Sequence, residues 1–136
     1  MTTGEGYVQA TAFFGKTYGE AMDLLVEARD YLAHREPIDR ETLVPIDRLR
    51  FCGETMRLTA RLTQIMAWLL AQRAVHAGEV SQEEALGDHR ALAEHALCMD
   101  APETEMPRRL ASLLDRSQRL YVRVARLDEL ARRQLA

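Results

Sequence analysis

The sequence predicts an all-α fold in which three long antiparallel helices form a bundle with one short helix. Apolar residues recur at alternating steps of three and four along most of the chain, which is the period of an amphipathic helix. No segment combines alternating polarity with enrichment in β-branched residues, as a strand would. We therefore expect helices alone, packed as a single domain over residues 1–136 with a flexible N-terminus at residues 1–10.

The first long helix is predicted over residues 11–34. A heptad seam marks it, made of six apolar positions: Phe14, Tyr18, Ala21, Leu25, Ala28 and Leu32. Pro37 is expected to end this helix, because the residue that precedes a proline avoids helical dihedral angles.

A second long helix is predicted over residues 45–77. Pro45 suits its first turn, and Gly78 is a typical C-terminal stop. Gly53 lies inside the helix and predicts a close approach of a neighbouring helix. The apolar arc of this helix is wider than two neighbours within the chain require, so we expect a homodimer with a hydrophobic helix-face interface.

The remaining helices follow from a cap and a second heptad. Ser81, with Glu84 three residues later, predicts a capping box that opens a short helix over 81–96. Residues 98–107 contain two prolines and are predicted to be a loop. The last helix is predicted over 107–134, where an unbroken heptad runs through Leu110, Leu113, Ser117, Leu120, Val124, Leu127 and Ala131.

Composition and charge favour a cytoplasmic protein. Nearly half of the residues are hydrophobic and 29% are charged, which is typical of a soluble globular chain. Two cysteines are too few for a disulfide framework, and the longest apolar run, residues 65–71, is too short to cross a bilayer. The net charge of −3 gives no general attraction to nucleic acid, although segment 81–106 is acidic and the last helix is rich in arginine.

No constellation of residues indicates catalysis or metal binding. Helical di-iron proteins need Glu-x-x-His motifs on two helices, and this sequence contains none. His89, His95 and Cys98 are clustered in sequence, but their spacing does not place them on one helical face. A nucleophile elbow and a glycine-rich phosphate loop are also missing. We therefore expect no enzyme activity, no metal and no cofactor.

Polar residues on the second helix form a candidate partner-binding row: Arg57, Arg61, Gln64, Trp68, Gln72 and Arg73. Arginine and tryptophan are the residues most enriched among interface hot spots. The alternative interpretation places Trp68 at the edge of the core, with its indole N–H bonded to a neighbouring side chain. The sequence leaves the two interpretations evenly balanced.

Arginines on the last helix form a second candidate face: Arg116, Arg119, Arg123 and Arg126. Such a row could bind phosphates, so a nucleic-acid-binding regulator is the alternative function. The favoured interpretation is a solvated face paired in part with the acidic segment 81–106, since the whole chain is acidic and offers little aromatic interleaving.

Two stretches of the sequence resemble the RcdA family, the regulator of CtrA degradation of alphaproteobacteria. The more specific is ETMRLTARLTQIMAWLLAQRAVHAGEVSQEEA, from Glu54 to Ala85, and the other is EAMDLLVEARDYL, from Glu20 to Leu32. With the final heptad, the resemblance covers nearly the whole chain. It rests most specifically on Arg57-Leu58-Thr59, Arg61-Leu62, and Trp68-Leu69-Leu70 with the Gln72-Arg73-Ala74-Val75 that follows.

The resemblance implies a dimeric three-helix bundle that serves as an adaptor for the ClpXP protease. It implies as partners the ClpX-type unfoldase complex, CpdR-like and PopA-like response regulators, and CtrA-like cargo, with no membrane. Better-known members carry a polar, flexible tail after the last helix, whereas this sequence stops at Ala136. If that tail delivers cargo, we expect a reduced cargo set or only the structural role of the family.

Overall fold

The computed structural model describes residues 4–87, 90–100 and 104–135, and it describes the side chains of these residues except at 4–13, 96 and 97. The helices in chain order are α1 (Gly4–Asp30), α2 (Glu36–Glu41), α3 (Pro45–His76), α4 (Gln82–Gly87), α5 (Ala96–Met99) and α6 (Arg108–Leu135). A π turn (Tyr31–Arg35) joins α1 to α2, and a 3-10 turn (Leu92–Glu94) precedes α5. No strand occurs in the described ranges, and the all-α bundle is confirmed.

The three long helices, α1, α3 and α6, enclose one core. Its largest fully buried apolar side chains are Tyr31, Phe51, Leu58, Ile65, Leu69, Leu110, Leu113, Leu114, Leu120, Tyr121 and Val124. In α3 and α6 these positions repeat with the helical period, and α1 contributes Ala21, Leu24 and Ala28, so that each helix buries one stripe. The predicted bounds of the second and last helices agree with α3 and α6 to within about two residues.

The first helix differs from the prediction at both ends. It begins at Gly4 and not at residue 11, and Pro37 does not end the helical path. In the π turn the amide of Glu36 donates to the carbonyl of Tyr31, five residues back. Proline has no amide hydrogen and its ring collides with the carbonyl four residues back in a regular helix. The wider turn removes this conflict and places Pro37 in the first turn of α2, where no amide hydrogen is needed.

Side-chain hydrogen bonds fix residues 35–50, here called the α2–α3 corner. Asp39 is central: its carboxylate accepts from the Tyr31 hydroxyl at 2.8 Å and from Arg35 Nε at 3.1 Å. The hydroxyl of Thr42 donates to the Asp39 carbonyl at 2.7 Å. The guanidinium of Arg48 donates to the backbone carbonyls of Arg40, Glu41 and Leu43. The corner is therefore held in one conformation.

The end of α3 has the predicted glycine stop. Gly78 has a φ of 74°, which is the left-handed region, and its amide donates to Val75 O while the amide of Glu79 donates to Ala74 O. This pair of bonds is a Schellman motif. The predicted Ser81 cap is also present, since Ser81 Oγ accepts from the amide of Glu84 at 3.1 Å.

The single short helix predicted over 81–96 is wrong. The chain instead forms α4, which ends at Gly87, and then the separate 3-10 turn. The reason lies in α6. The amide of Leu92 donates to the buried carboxylate of Asp128, and its carbonyl accepts from the Tyr121 hydroxyl. These tertiary partners replace the hydrogen bonds that a continuous helix would have made.

Gly53 does not mark a close helix approach within the chain, contrary to the sequence expectation. It is exposed on α3, and no atom of the structure lies within 4 Å of a Cβ built on it, apart from the neighbours that its own helix provides. Gly53 is thus an ordinary helical position with open space beside it, whereas Gly78 is required by its backbone conformation.

Two glycine substitutions are expected to have opposite effects on stability. Gly78→Ala should lower the free energy of unfolding by about 1–2 kcal/mol, because an L-residue is strained in the left-handed region. Gly53→Ala should raise it by up to about 1 kcal/mol, because alanine is the better helix former and its methyl group meets no neighbour. Urea unfolding followed by circular dichroism measures both, and changes of the same sign would contradict this assignment.

Candidate interaction surfaces

Arg61 on α3 is a buried arginine that joins three parts of the chain. Its exposed fraction is 0%. Its Nε donates to the Cys98 carbonyl at 2.9 Å, and one terminal nitrogen donates to the Asp100 carbonyl at 2.9 Å. The other terminal nitrogen donates to the Leu114 carbonyl and to Ser117 Oγ, both on α6. Burial is the main cause that lowers the pKa of Arg61, but an arginine remains charged in a folded protein.

Arg61 acts with its neighbours as a clamp on residues 98–100, at the C-terminal end of α5, here called the connector. The side chains of Arg57 and Gln118 donate to the carbonyls of Asp100 and Met99, respectively. Three successive carbonyls, at residues 98–100, are therefore bound by side chains of the long helices. These carbonyls lie at the C-terminal end of α5, which attracts cations. The clamp fixes the connector against the bundle.

A second buried network surrounds the carboxylate of Asp128 on α6. It accepts from the indole N–H of Trp68 at 3.0 Å, from the amide of Leu92 at 3.1 Å, and from Arg132 Nε. The Tyr121 hydroxyl donates to the Leu92 carbonyl at 2.7 Å, and burial is the main cause that raises the pKa of this tyrosine. The turn before α5 is thus bonded directly to α6, and Asp128 links it in turn to Trp68 of α3.

The arginines of α6 face the acidic side of α1. Arg116 makes a bidentate ion pair with Glu27, at 2.6 and 2.7 Å, and Arg123 pairs with Glu20. The bidentate contact is the main cause that lowers the pKa of Glu27 and raises that of Arg116. The fourth member of the row, Arg126, is exposed.

These pairs correct the expected partner of the arginine row. Arg119 pairs with Asp115 of its own helix, so three of the four guanidiniums pair with carboxylates of α1 or α6, and none of these three pairs involves a described residue of segment 81–106. The groove between the two helices has a volume of about 790 Å³, with Leu24 and Val122 among its lining residues. Since acids and arginines are similarly exposed along it, the row presents little net positive charge to a phosphate backbone.

The side of α3 that points away from the core is an uncharged surface, here called the outer α3 face. Its members are Leu49, Cys52, Met56, Thr59, Thr63, Met66, Ala67 and Leu70. Met56 is 71% exposed and Leu49 70% exposed. Leu62, Thr63 and Leu70 also line a groove of about 760 Å³ between α3 and α1, whose other wall includes Leu25 and Leu32. A continuous apolar surface of this kind is typical of a protein–protein contact.

No metal centre is assembled in the part of the chain that the structure describes, where no three potential ligands lie together. His89 falls outside that part. Cys98 is buried, and burial is the main cause that raises the pKa of its thiol, so it has the features of an inert cysteine. Among the described helices, none is both long and apolar enough to cross a membrane.

Comparison with known proteins places the chain in a family. A family model described as "Protein of unknown function (DUF1465)" matches residues 7–136. The crystal structure of RcdA from Caulobacter crescentus CB15 matches with a TM-score of 0.68 and 38% sequence identity, over 87% of this chain and 89% of that one. The chain belongs to the RcdA family. No protein with a curated description matches the sequence.

The residues that carry the RcdA resemblance on α3 are mostly interior ones, and this corrects the predicted partner-binding row. Arg61 is fully buried, Trp68 is 9% exposed, and Gln72 is buried in a reciprocal amide pair with Gln82. These side chains satisfy polar atoms of the bundle, and the alternative interpretation of Trp68 agrees with its bond to Asp128. As a solvent-facing row, the prediction is wrong for these three.

The other members of that row lie nearer the surface. Arg57 and Gln64 are half-buried, and the exposed Arg73 lies over the ring of Tyr18, 5.8 Å from its centroid. Partner binding by these residues stays a prediction. The sequence did contain one signal of the interior network, because Ser117 occupies a core position of the α6 heptad and a buried hydroxyl needs a polar partner.

Arg61→Met should destabilise the bundle far more than the same change at Arg126. The first substitution leaves buried carbonyl and hydroxyl acceptors without donors, so the free energy of unfolding should fall by about 2–4 kcal/mol. Arg126→Met alters an exposed side chain and should change it by no more than about 0.5 kcal/mol. Chemical denaturation of both variants measures the difference, and similar midpoints would show that the clamp contributes little.

Proposed function

We propose that this protein is a non-enzymatic, cytoplasmic adaptor that helps deliver cell-cycle regulators such as CtrA to the ClpXP protease. The observation that carries the proposal is the likeness to RcdA, at 38% identity over 87% of the chain. The build of the molecule supports it. The described polar clusters are engaged in holding the bundle together, while an uncharged helix face is left exposed.

The mechanism of such an adaptor is tethering. A protein that binds the ClpX-type unfoldase complex and the cargo together raises their effective concentration without new chemistry. The partners in this scheme are CpdR-like and PopA-like response regulators on the protease side and CtrA-like proteins as cargo. A rigid bundle suits the role, because a preformed surface loses less conformational entropy on binding.

The outer α3 face supports a homodimer as the working form. A two-fold interface must be self-complementary, and the order of residues along this face allows that. If two copies of α3 cross antiparallel between Thr59 and Thr63, then Met56 meets Met66 of the second copy and Cys52 meets Leu70. The outer α3 face extends from Leu49 to Leu70, about 32 Å along the helix axis, which is enough for a helix–helix contact of ordinary size.

Reconstituted proteolysis tests the adaptor function. Purified ClpXP, a CpdR-like regulator and CtrA are combined with and without this protein, and the loss of CtrA is followed over time. We expect faster CtrA degradation when the protein is present and no acceleration when the CpdR-like regulator is left out. The rate for a ClpXP substrate that needs no adaptor should not change. An unchanged CtrA half-life under all of these conditions would contradict the proposal.

Sedimentation analysis tests the homodimer independently. At micromolar concentration the protein should have twice the mass of the chain, and Met56→Glu should convert it to a monomer because a carboxylate would be buried in an apolar contact. Leu130→Glu is the matched control, since Leu130 is an exposed leucine on α6 and should leave the dimer intact. A monomeric wild-type protein, or a dimer unaffected by Met56→Glu, would exclude this interface.

A further inference from the structure

The α2–α3 corner exposes three aliphatic side chains within nine residues. Ile38 is 54% exposed, Val44 57% and Ile46 56%. Single exposed aliphatic residues are normal on protein surfaces, but a group of them in one place indicates a contact site. The corner also contains Leu49, which is exposed, and Leu43, which packs against the core, together with two prolines, one threonine and eight charged residues.

The corner is also unusually well fixed for a connection between helices. Asp39 and Arg48 bind backbone and side-chain atoms on both sides of the turn. A π turn precedes it, and such turns are frequent at functional sites. These bonds also satisfy carbonyls at the C-terminal end of α2, which have no partner within the helix. Their effect is to present Ile38, Val44 and Ile46 on a preorganised surface, which lowers the entropy cost of binding.

The exposed charge of the corner is positive, although its formal charge is balanced. Residues 35–50 contain four arginines and four acids. Arg35 has a side chain 50% exposed, but its partner Asp39 is only 12% exposed. Arg40 is 47% exposed and its partner Glu36 only 14%. In both pairs the carboxylate is therefore largely buried, while the guanidinium is exposed to solvent.

The remaining charges of the corner, two arginines and two acids, balance one another, so the exposed excess from the two pairs above stays positive. Arg48 is exposed and its guanidinium donates to backbone carbonyls, which leave its positive charge uncancelled. Arg50 and Asp47 form a pair in which both side chains are about equally exposed. Glu41 is an exposed acid. Among the exposed side chains of the corner, arginines therefore outnumber acids. Along α6, by contrast, Arg116 and Arg123 are about as exposed as the glutamates that they pair with.

We infer that the α2–α3 corner is a docking surface for an acidic segment of another protein that carries aliphatic side chains. The aliphatic groups of that segment pack on Ile38, Val44 and Ile46, and its carboxylates pair with the exposed guanidiniums of Arg35 and Arg40. Ile38, Val44 and Ile46 are not members of the outer α3 face, although Leu49, at the end of that face, lies within the corner. The inference goes beyond the proposed adaptor function and does not depend on it.

A synthetic peptide tests this inference without any protease. The probe is a fluorescein-labelled peptide of alternating glutamate and leucine, and the comparison peptide has lysine in place of every glutamate. We expect the glutamate peptide to bind and to shift the amide resonances of residues 35–50 in a nitrogen-15 spectrum. Its affinity should fall as salt is raised, because exposed charges are screened. The lysine peptide should bind about tenfold more weakly or not at all.

Variants locate the contact. Ile38→Ser with Ile46→Ser should weaken the glutamate peptide about tenfold, and Arg40→Glu should do the same through charge. Leu130→Ser is the control, because it removes an exposed leucine from another surface and should leave the affinity unchanged. Circular dichroism checks that each variant is folded.

Three results would overturn the inference. The first is equal binding of the two peptides. The second is unchanged affinity in both corner variants while they remain folded. The third is a set of shifted amides on α6 or on the outer α3 face in place of the corner. Loss of self-association in the corner variants would assign the surface to a second copy of the chain and would equally refute an acidic partner.

Discussion

The buried guanidinium of Arg61 is the constraint on which the described architecture depends. A cation inside a protein is costly unless its donors are all used, and among the described residues no carboxylate pairs with it. It must therefore draw its acceptors from backbone carbonyls and a hydroxyl, and these come from α6 and from the connector before α6. The connector follows its path because its carbonyls satisfy this arginine.

The sequence predicted the helices well because their buried apolar residues recur with the helical period. It predicted the candidate site poorly because buried polar residues follow no such period. The heptads through Leu58 and Leu120 each define a helix without reference to the rest of the chain. Whether Arg61 points inward depends on acceptors 37 and more residues away, which no local pattern encodes. The short helix failed for the same reason, since the bonds of Leu92 to α6 outweigh its local helical preference.

Buried and exposed positions of this RcdA-family bundle differ in the residues that they carry. Trp68 and Asp128 are polar side chains that are buried, where they hold the turn before α5 to the bundle. The outer α3 face is then left without charges, and the α2–α3 corner carries aliphatic residues among arginines. The two surfaces proposed for recognition are both on helices or on a fixed turn, so binding there would rely on shape and on a few placed charges.

The Asp128 carboxylate has an evolutionary consequence. It accepts hydrogen bonds from Trp68, from the amide of Leu92 and from Arg132, so a change at position 128 alone would leave an indole and an amide buried without partners. A change at position 68 alone would remove one of the hydrogen-bond donors that stabilise the buried carboxylate of Asp128. A replacement at either position alone should therefore destabilise the protein. We expect positions 68 and 128 to covary in the family, or to be invariant.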